Sequence, residues 1–185
     1  LFYSFNSSYS LIDYNEGDYY IDGEAGYSFS PQTGRISLLL KSQAKAPAFI
    51  ANNFISNYFL WANDFDKVNI TSSEIAYALP KNELEFEAKY HQVNNFIYWN
   101  TDALPMQSDN TLSASTISLK KNFTFKNLHF KNILTYQFLS DTSVIRLPAF
   151  WSKHSLYYEN KIFKNALHTQ VGVDVQYNTD YFGNA

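Results

Sequence analysis

The sequence predicts an all-β, antiparallel fold of about 8–10 strands, each apolar on one face and polar on the other. Three observations lead there. Period-two alternation recurs along the chain, and successive side chains on a strand point to opposite faces. Very short turns alternate with long polar connections. Aromatic residues make up 18% of the 185 residues, with 15 Tyr, 16 Phe and 3 Trp. A Tyr ring is apolar and its hydroxyl seeks water, so such residues collect where an apolar phase meets a wet one. Strands with this polarity, roughly 10 residues long, match what a tilted strand needs to cross a bilayer. The expectation is a transmembrane β-barrel, of which residues 1–185 form part of a single barrel domain.

Composition narrows the alternatives. Formal charge is -3, with no basic patch or stripe, so no nucleic-acid partner is expected. There are no cysteines, which removes disulfide frameworks, thiolate metal sites and thiol nucleophiles. No apolar run is long enough for a membrane-spanning helix. Mean hydropathy is -0.31, as expected where half of each strand faces water. The chain opens at Leu1 without an initiator Met or a signal peptide. It ends at Phe182-Gly183-Asn184-Ala185 without the closing aromatic expected of a complete barrel, so it reads as a fragment of a longer chain.

The elements follow in order. Residues 23–30 and 35–41 are joined by the turn Ser30-Pro31-Gln32-Thr33-Gly34. Residues 44–69 must contribute an even number of crossings, either none or a hairpin, or later turns would fall on the wrong side. Residues 74–79 lead through Pro80-Lys81-Asn82 into residues 83–92. There Leu84, Phe86, Ala88 and Tyr90 share one face, and Glu85, Glu87, Lys89 and His91 share the other. A face with four ionisable groups must meet water. Residues 111–125 and 128–140 flank Lys126-Asn127, and residues 152–163 and 166–177 flank Lys164-Asn165. Asn tolerates positive φ and suits two-residue hairpin turns. Phe125 and Phe163, just before these turns, fall where a membrane girdle belongs. Residues 94–110 and 141–151 are long and polar, which assigns them to the outside and the Lys-Asn turns to the periplasmic rim. Without residues 44–69 there are about nine strands, and open edges in lipid are not viable, so edge pairing is expected from further residues.

The last strand shows the pattern best. Leu167, Thr169, Val171, Val173, Val175 and Tyr177 form an apolar row, and His168, Gln170, Gly172, Asp174 and Gln176 a polar one. Parity fails in two places. Asn132 interrupts an outward row of Leu128, Phe130, Leu134, Tyr136 and Phe138, and Asn160 interrupts Leu156, Tyr158 and Ile162.

Fourteen residues are candidates for a water-filled lumen: Arg35, Lys41, Glu85, Glu87, Lys89, His91, His129, Lys131, Glu159, Lys161, His168, Gln170, Asp174 and Gln176. Lumen charge sets solute preference, but mixed signs here also suit any wet wall, so no ion selectivity follows. His91, His129, His154 and His168 read as polar wall rather than metal ligands. His168 and Asp174 lie about 20 Å apart along a strand. No Gly-x-Ser-x-Gly elbow and no glycine-rich phosphate loop occurs, so neither enzyme activity nor a cofactor is expected. Trp61, Tyr98, Trp99, Phe150, Trp151, Tyr157, Tyr181 and Phe182 read as a membrane girdle at strand ends, with a sugar-stacking site as the alternative.

Several segments then show a resemblance. Ser56 to Phe65 (SNYFLWANDF), Asn95 to Trp99 (NFIYW), Ala103 to Gln107 (ALPMQ), Val144 to Pro148 (VIRLP), Ser155 to Glu159 (SLYYE) and Val171 to Tyr177 (VGVDVQY), then Thr179, Tyr181 and Ala185, occur in that order. Over about residues 50–185 the chain resembles the "putative porin" family of Gram-negative outer membranes. The resemblance implies an outer-membrane β-barrel longer than this chain, of which this is the C-terminal half, and carries no catalytic residues. The expected function is passive diffusion of small hydrophilic solutes, with outer-membrane lipid as the surroundings. A non-conducting barrel that serves a surface or secretion complex is the alternative, and a soluble sugar-binding β-sandwich the second. Homo-oligomerisation stays open.

Overall fold

The computed structural model describes residues 1–30 and 32–181. Pro31 of the first turn and the C-terminal Phe182-Gly183-Asn184-Ala185 lie outside the described residues. Along the chain run β1 (Phe2–Tyr9), β2 (Tyr19–Ser28), β3 (Arg35–Lys45), the short helix α1 (Phe49–Asn52), β4 (Asn53–Ile55), β5 (Leu60–Ala62) and β6 (Val68–Leu79). After a 3₁₀ turn at Pro80–Asn82 come β7 (Leu84–Asn94), β8 (Ile97–Trp99), β9 (Pro105–Gln107), β10 (Leu112–Phe125), β11 (Leu128–Leu139), β12 (Phe150–Ile162) and β13 (Leu167–Asn178).

Nine of these strands form one sheet in the order β1-β2-β3-β6-β7-β10-β11-β12-β13, every pair antiparallel. It is an up-and-down meander with edges at β1 and β13 among the described residues. All short turns fall at one end, at residues 29–34, 80–83, 126–127 and 163–166, and all long connections at the other. Residues 44–69 add no crossing. Between β3 and β6 they form α1 and a separate small hairpin, β4–β5.

The turns differ from expectation in two details. In the two-residue turn between β10 and β11 the left-handed residue is Lys126 (φ 54°), not Asn127. Asn127 ties the turn to β12. Its Nδ2 donates to the Glu159 carbonyl at 2.6 Å, and its own carbonyl accepts from Glu159 N–H at 2.9 Å. The turn between β12 and β13 has four residues, because Ile162 pairs with Leu167, and Phe163, Lys164 and Asn165 all have positive φ.

The long connections are knitted together. Lys67 Nζ meets Asp18 Oδ1 at 2.8 Å and also donates to the Glu16 carbonyl. Gln107 Nε2 donates to the Asp66 and Asn95 carbonyls at 2.8 and 3.0 Å. Trp61 stacks on Phe54 with centroids 4.6 Å apart and meets Trp99 edge-on at 5.6 Å. Trp61 and Trp99 therefore join two loop hairpins, β4–β5 and β8–β9, instead of standing at the ends of the long strands. In the β11–β12 connection, Asp141 Oδ1 accepts from the Ser143 hydroxyl at 2.6 Å and from its N–H at 2.8 Å. These bonds hold the Asp141 carboxyl below the usual carboxylate range.

The sheet has almost no core. Ala44, Ala51 and Leu112 are the buried hydrophobic residues among those described, while Val171, Val173, Phe138, Leu156 and Leu40 are exposed.

Candidate functional site: the polar face of the sheet

Register decides which side chains share a face. The Cα partners Arg35, Ala78, Glu85, Lys120, Ile133, Lys153 and Gln176 form one line across seven strands, from β3 to β13. Every second residue along each strand joins the same face. All the lumen candidates fall on it: Arg35 and Lys41 on β3, the Glu85/Glu87/Lys89/His91 row on β7, His129 and Lys131 on β11, Glu159 and Lys161 on β12, and His168, Gln170, Asp174 and Gln176 on β13. The same face also carries Asp22, Glu24, Glu74, Lys120 and Lys153, which the sequence reading had not singled out. Glu74 could have been found from the Pro80–Asn82 turn, which sets it directly opposite Lys89.

The charges on this face interlock. Lys89 Nζ lies 3.2 Å from Glu74 Oε2 and 3.1 Å from Glu87 Oε1, and Lys120 Nζ lies 3.3 Å from Glu85 Oε2. His168 Nε2 sits 2.9 Å from Glu159 Oε1, a cross-strand partner invisible to a search along one strand. Other cations lie over rings: Lys41 over Tyr20 at 4.8 Å, Lys131 over Tyr157 at 5.1 Å and Arg35 over Phe2 at 5.7 Å. His129 stacks on Tyr157 at 4.7 Å and 12°. Deeper polar groups are paired as well. Ser118 and Thr135, 8% and 4% exposed, share a hydroxyl hydrogen bond of 3.0 Å, and Asn6 Nδ2 donates to Asp22 at 3.1 Å. A buried polar group without a partner is costly, and none of the described buried side chains lacks one.

The histidines do not converge. His91 bonds Ser72 Oγ at 2.8 Å, and His129 and His168 lie on other strands. Among the described residues no group of three or more His, Cys, Asp or Glu is placed to hold a metal. His154 corrects the expectation of a fourth wall histidine, because register puts it on the apolar face opposite Asn132.

That opposite face carries Leu38, Leu40, Ile75, Ile117, Phe130, Leu156, Tyr158 and the Val171/Val173/Val175/Tyr177 row, all exposed. Its polar interruptions are locally satisfied. Lys121 stretches to the Asn82 carbonyl at the short-turn rim, keeping its ammonium at the edge of the apolar band. Asn160 donates to the Tyr158 hydroxyl at 3.2 Å, two residues from the end of β12. Asn132 Oδ1 lies 2.7 Å from His154 Nδ1, and Asn132 Nδ2 donates to the Lys121 carbonyl at 3.2 Å. Asn132 and His154 thus form a self-contained pair well inside the apolar band. His154→Leu alone is expected to cost about 1–3 kcal/mol, because the Asn132 oxygen loses its partner. The double variant Asn132→Leu/His154→Leu is expected to regain that loss. Urea unfolding in lipid vesicles checks this, and a double variant worse than the single one would show that the pair serves something beyond satisfying itself.

No individual curated protein matches the chain. The family described as "Putative porin" matches residues 1–185, so the chain belongs to that family.

Proposed function

We propose that this sheet is part of a transmembrane β-barrel in an outer membrane, and that the barrel passes small hydrophilic solutes by passive diffusion. One observation carries the reading: polarity is inverted relative to a soluble domain. The ionisable side chains gather on one face, and the large apolar side chains stand bare on the other. A soluble sandwich would cover that apolar face with a second layer, yet the other two sheets are small hairpins within the long connections. Nine strands of 8 to 14 residues suit a tilted wall. Membership of the porin family supports the same conclusion. Lipid stabilises the Val, Leu, Phe and Tyr face, and water solvates the Glu, Lys, His and Gln face. Further strands pair with β1 and β13 to close the wall. Solute movement needs neither catalysis nor a cofactor.

One feature favours a second reading, a barrel that docks a surface partner. The β4–β5 hairpin exposes Ile55, Tyr58 and Leu60. Planar-bilayer recording separates the two. Stepwise conductance after insertion is expected, and insertion without conductance would leave the docking role.

A further inference from the structure

Three neighbouring strands leave a depression of about 350 Å³ in the polar face, a volume that suits one small ring. Register builds it from two rows. Lys131, Ser155 and Asp174 are Cα partners across β11, β12 and β13, and His129, Tyr157 and Gly172 form the next row. Tyr157, expected in a girdle, therefore stands on the polar face. His129 covers one face of its ring, stacked at 4.7 Å, the spacing of neighbouring strands. On the ring's other side the row continues with Gly172, which has no side chain to stack there. An added Cβ at Gly172 would overlap Tyr157 Cβ and the Leu156 carbonyl oxygen, so glycine keeps the slot open and lets β13 lie close to β12. Gln170 and Asp174, both exposed, flank Gly172 along β13. Lys131 Nζ reaches over the Tyr157 ring at 5.1 Å. The side chains of Ser155, Gln170 and Asp174 enter no hydrogen bond or ion pair among the described residues. Leu156 and Val173 also border the depression, but register turns their side chains to the apolar face.

We infer that this depression is a binding subsite for a neutral saccharide ring, with the sugar's C–H face on Tyr157 and its hydroxyls held by Lys131, Ser155, Gln170 and Asp174. An aromatic face is electron-rich and attracts the C–H groups that one side of a pyranose presents. The edge of the same pyranose carries hydroxyls that both donate and accept. Ammonium only donates, carboxylate only accepts, and an amide does both. Hydrogen bonds to the two charged groups are the stronger ones. An anion would be repelled by Asp174 and a cation by Lys131, whereas a neutral ligand bonds to both. The binding needs only that the polar face meets water; its place on a solute path rests on the channel reading.

Calorimetric titration of the intact protein, in a detergent without a sugar headgroup, tests it with methyl glucoside, and with mannitol as an open-chain polyol that has no ring face. Saturable methyl glucoside binding is expected, about tenfold weaker in Asp174→Asn and in Tyr157→Leu. Mannitol should bind more weakly by a similar factor. Asp174 is exposed and Asn keeps its shape, so that variant should fold as the parent does. No methyl glucoside binding, equal binding of mannitol, or unchanged affinity in Asp174→Asn or in a Tyr157→Leu variant that keeps the parent's heat-shifted gel migration would overturn the subsite. Conductance of the same preparation separates the two readings. Conductance without methyl glucoside binding overturns the subsite and leaves the channel, whereas methyl glucoside binding without conductance upholds the subsite and removes the channel.

Discussion

Val173→Arg is expected to destabilise the protein in a bilayer by about 2–4 kcal/mol, the cost of an arginine near the membrane midplane on the lipid face of a barrel. Val173 sits in the middle of β13, 66% exposed, and pairs with Leu156 on the apolar face. Three residues earlier, Gln170→Arg is expected to be nearly neutral. Gln170 pairs with Glu159 on the polar face, where a new cation meets water and an existing carboxylate. The strand, the edge position and the incoming residue are the same, so the difference reports the face alone. Urea titration of both variants refolded into lipid vesicles measures it. Equal losses would mean that both faces of β13 meet the same medium, and the barrel proposal would fall. A loss confined to Val173→Arg in vesicles, and absent in urea alone, would locate the cost in lipid.

Much of this arrangement was legible because a sheet with one wet face writes itself as alternation. On β7 the row Glu85, Glu87, Lys89 and His91 fixed a face without reference to any partner strand, and register then carried that parity across the sheet. What stayed hidden depends on relations between strands. Glu159 and His168 meet across a hairpin whose four-residue turn sets the offset, and nothing along either strand alone shows it. Lys120 shares the face of Ser118 and Asn122, and Lys121 that of Leu119 and Phe123, so alternation separates them, but only pairing shows that Lys120 meets Glu85. His154 has the parity of Leu156 and Tyr158, so alternation along β12 already excludes it from the wet wall, and only its partner Asn132, on the neighbouring strand, is hidden. The long connections resist the alternation rule altogether. Trp61 and Trp99 pack on each other across two separate loops, and that contact has no local period.

Gly34→Ala is expected to cost about 2–5 kcal/mol, combining a left-handed backbone for an L-residue with overpacking against a neighbouring strand. Gly34 closes the first short turn at φ +85°, with Phe29 N–H donating to its carbonyl at 2.9 Å and its own N–H donating to Ser30 O at 2.7 Å. A methyl group there would overlap the Ala78 carbonyl oxygen of β6 and approach the Leu79 Cα at 3.3 Å. Both are backbone atoms within a paired strand, so no side chain can swing aside to make room. Gly23 gives the control. It lies on β2 opposite Phe5 and Leu40, and an added Cβ meets nothing within 4 Å. Gly23→Ala should therefore be neutral or stabilising by about 0.4–1 kcal/mol, through the smaller entropy of the unfolded chain. Vesicle unfolding of the two variants tests the pair, and equal stabilities would mean that the residue 29–34 turn does not press against β6.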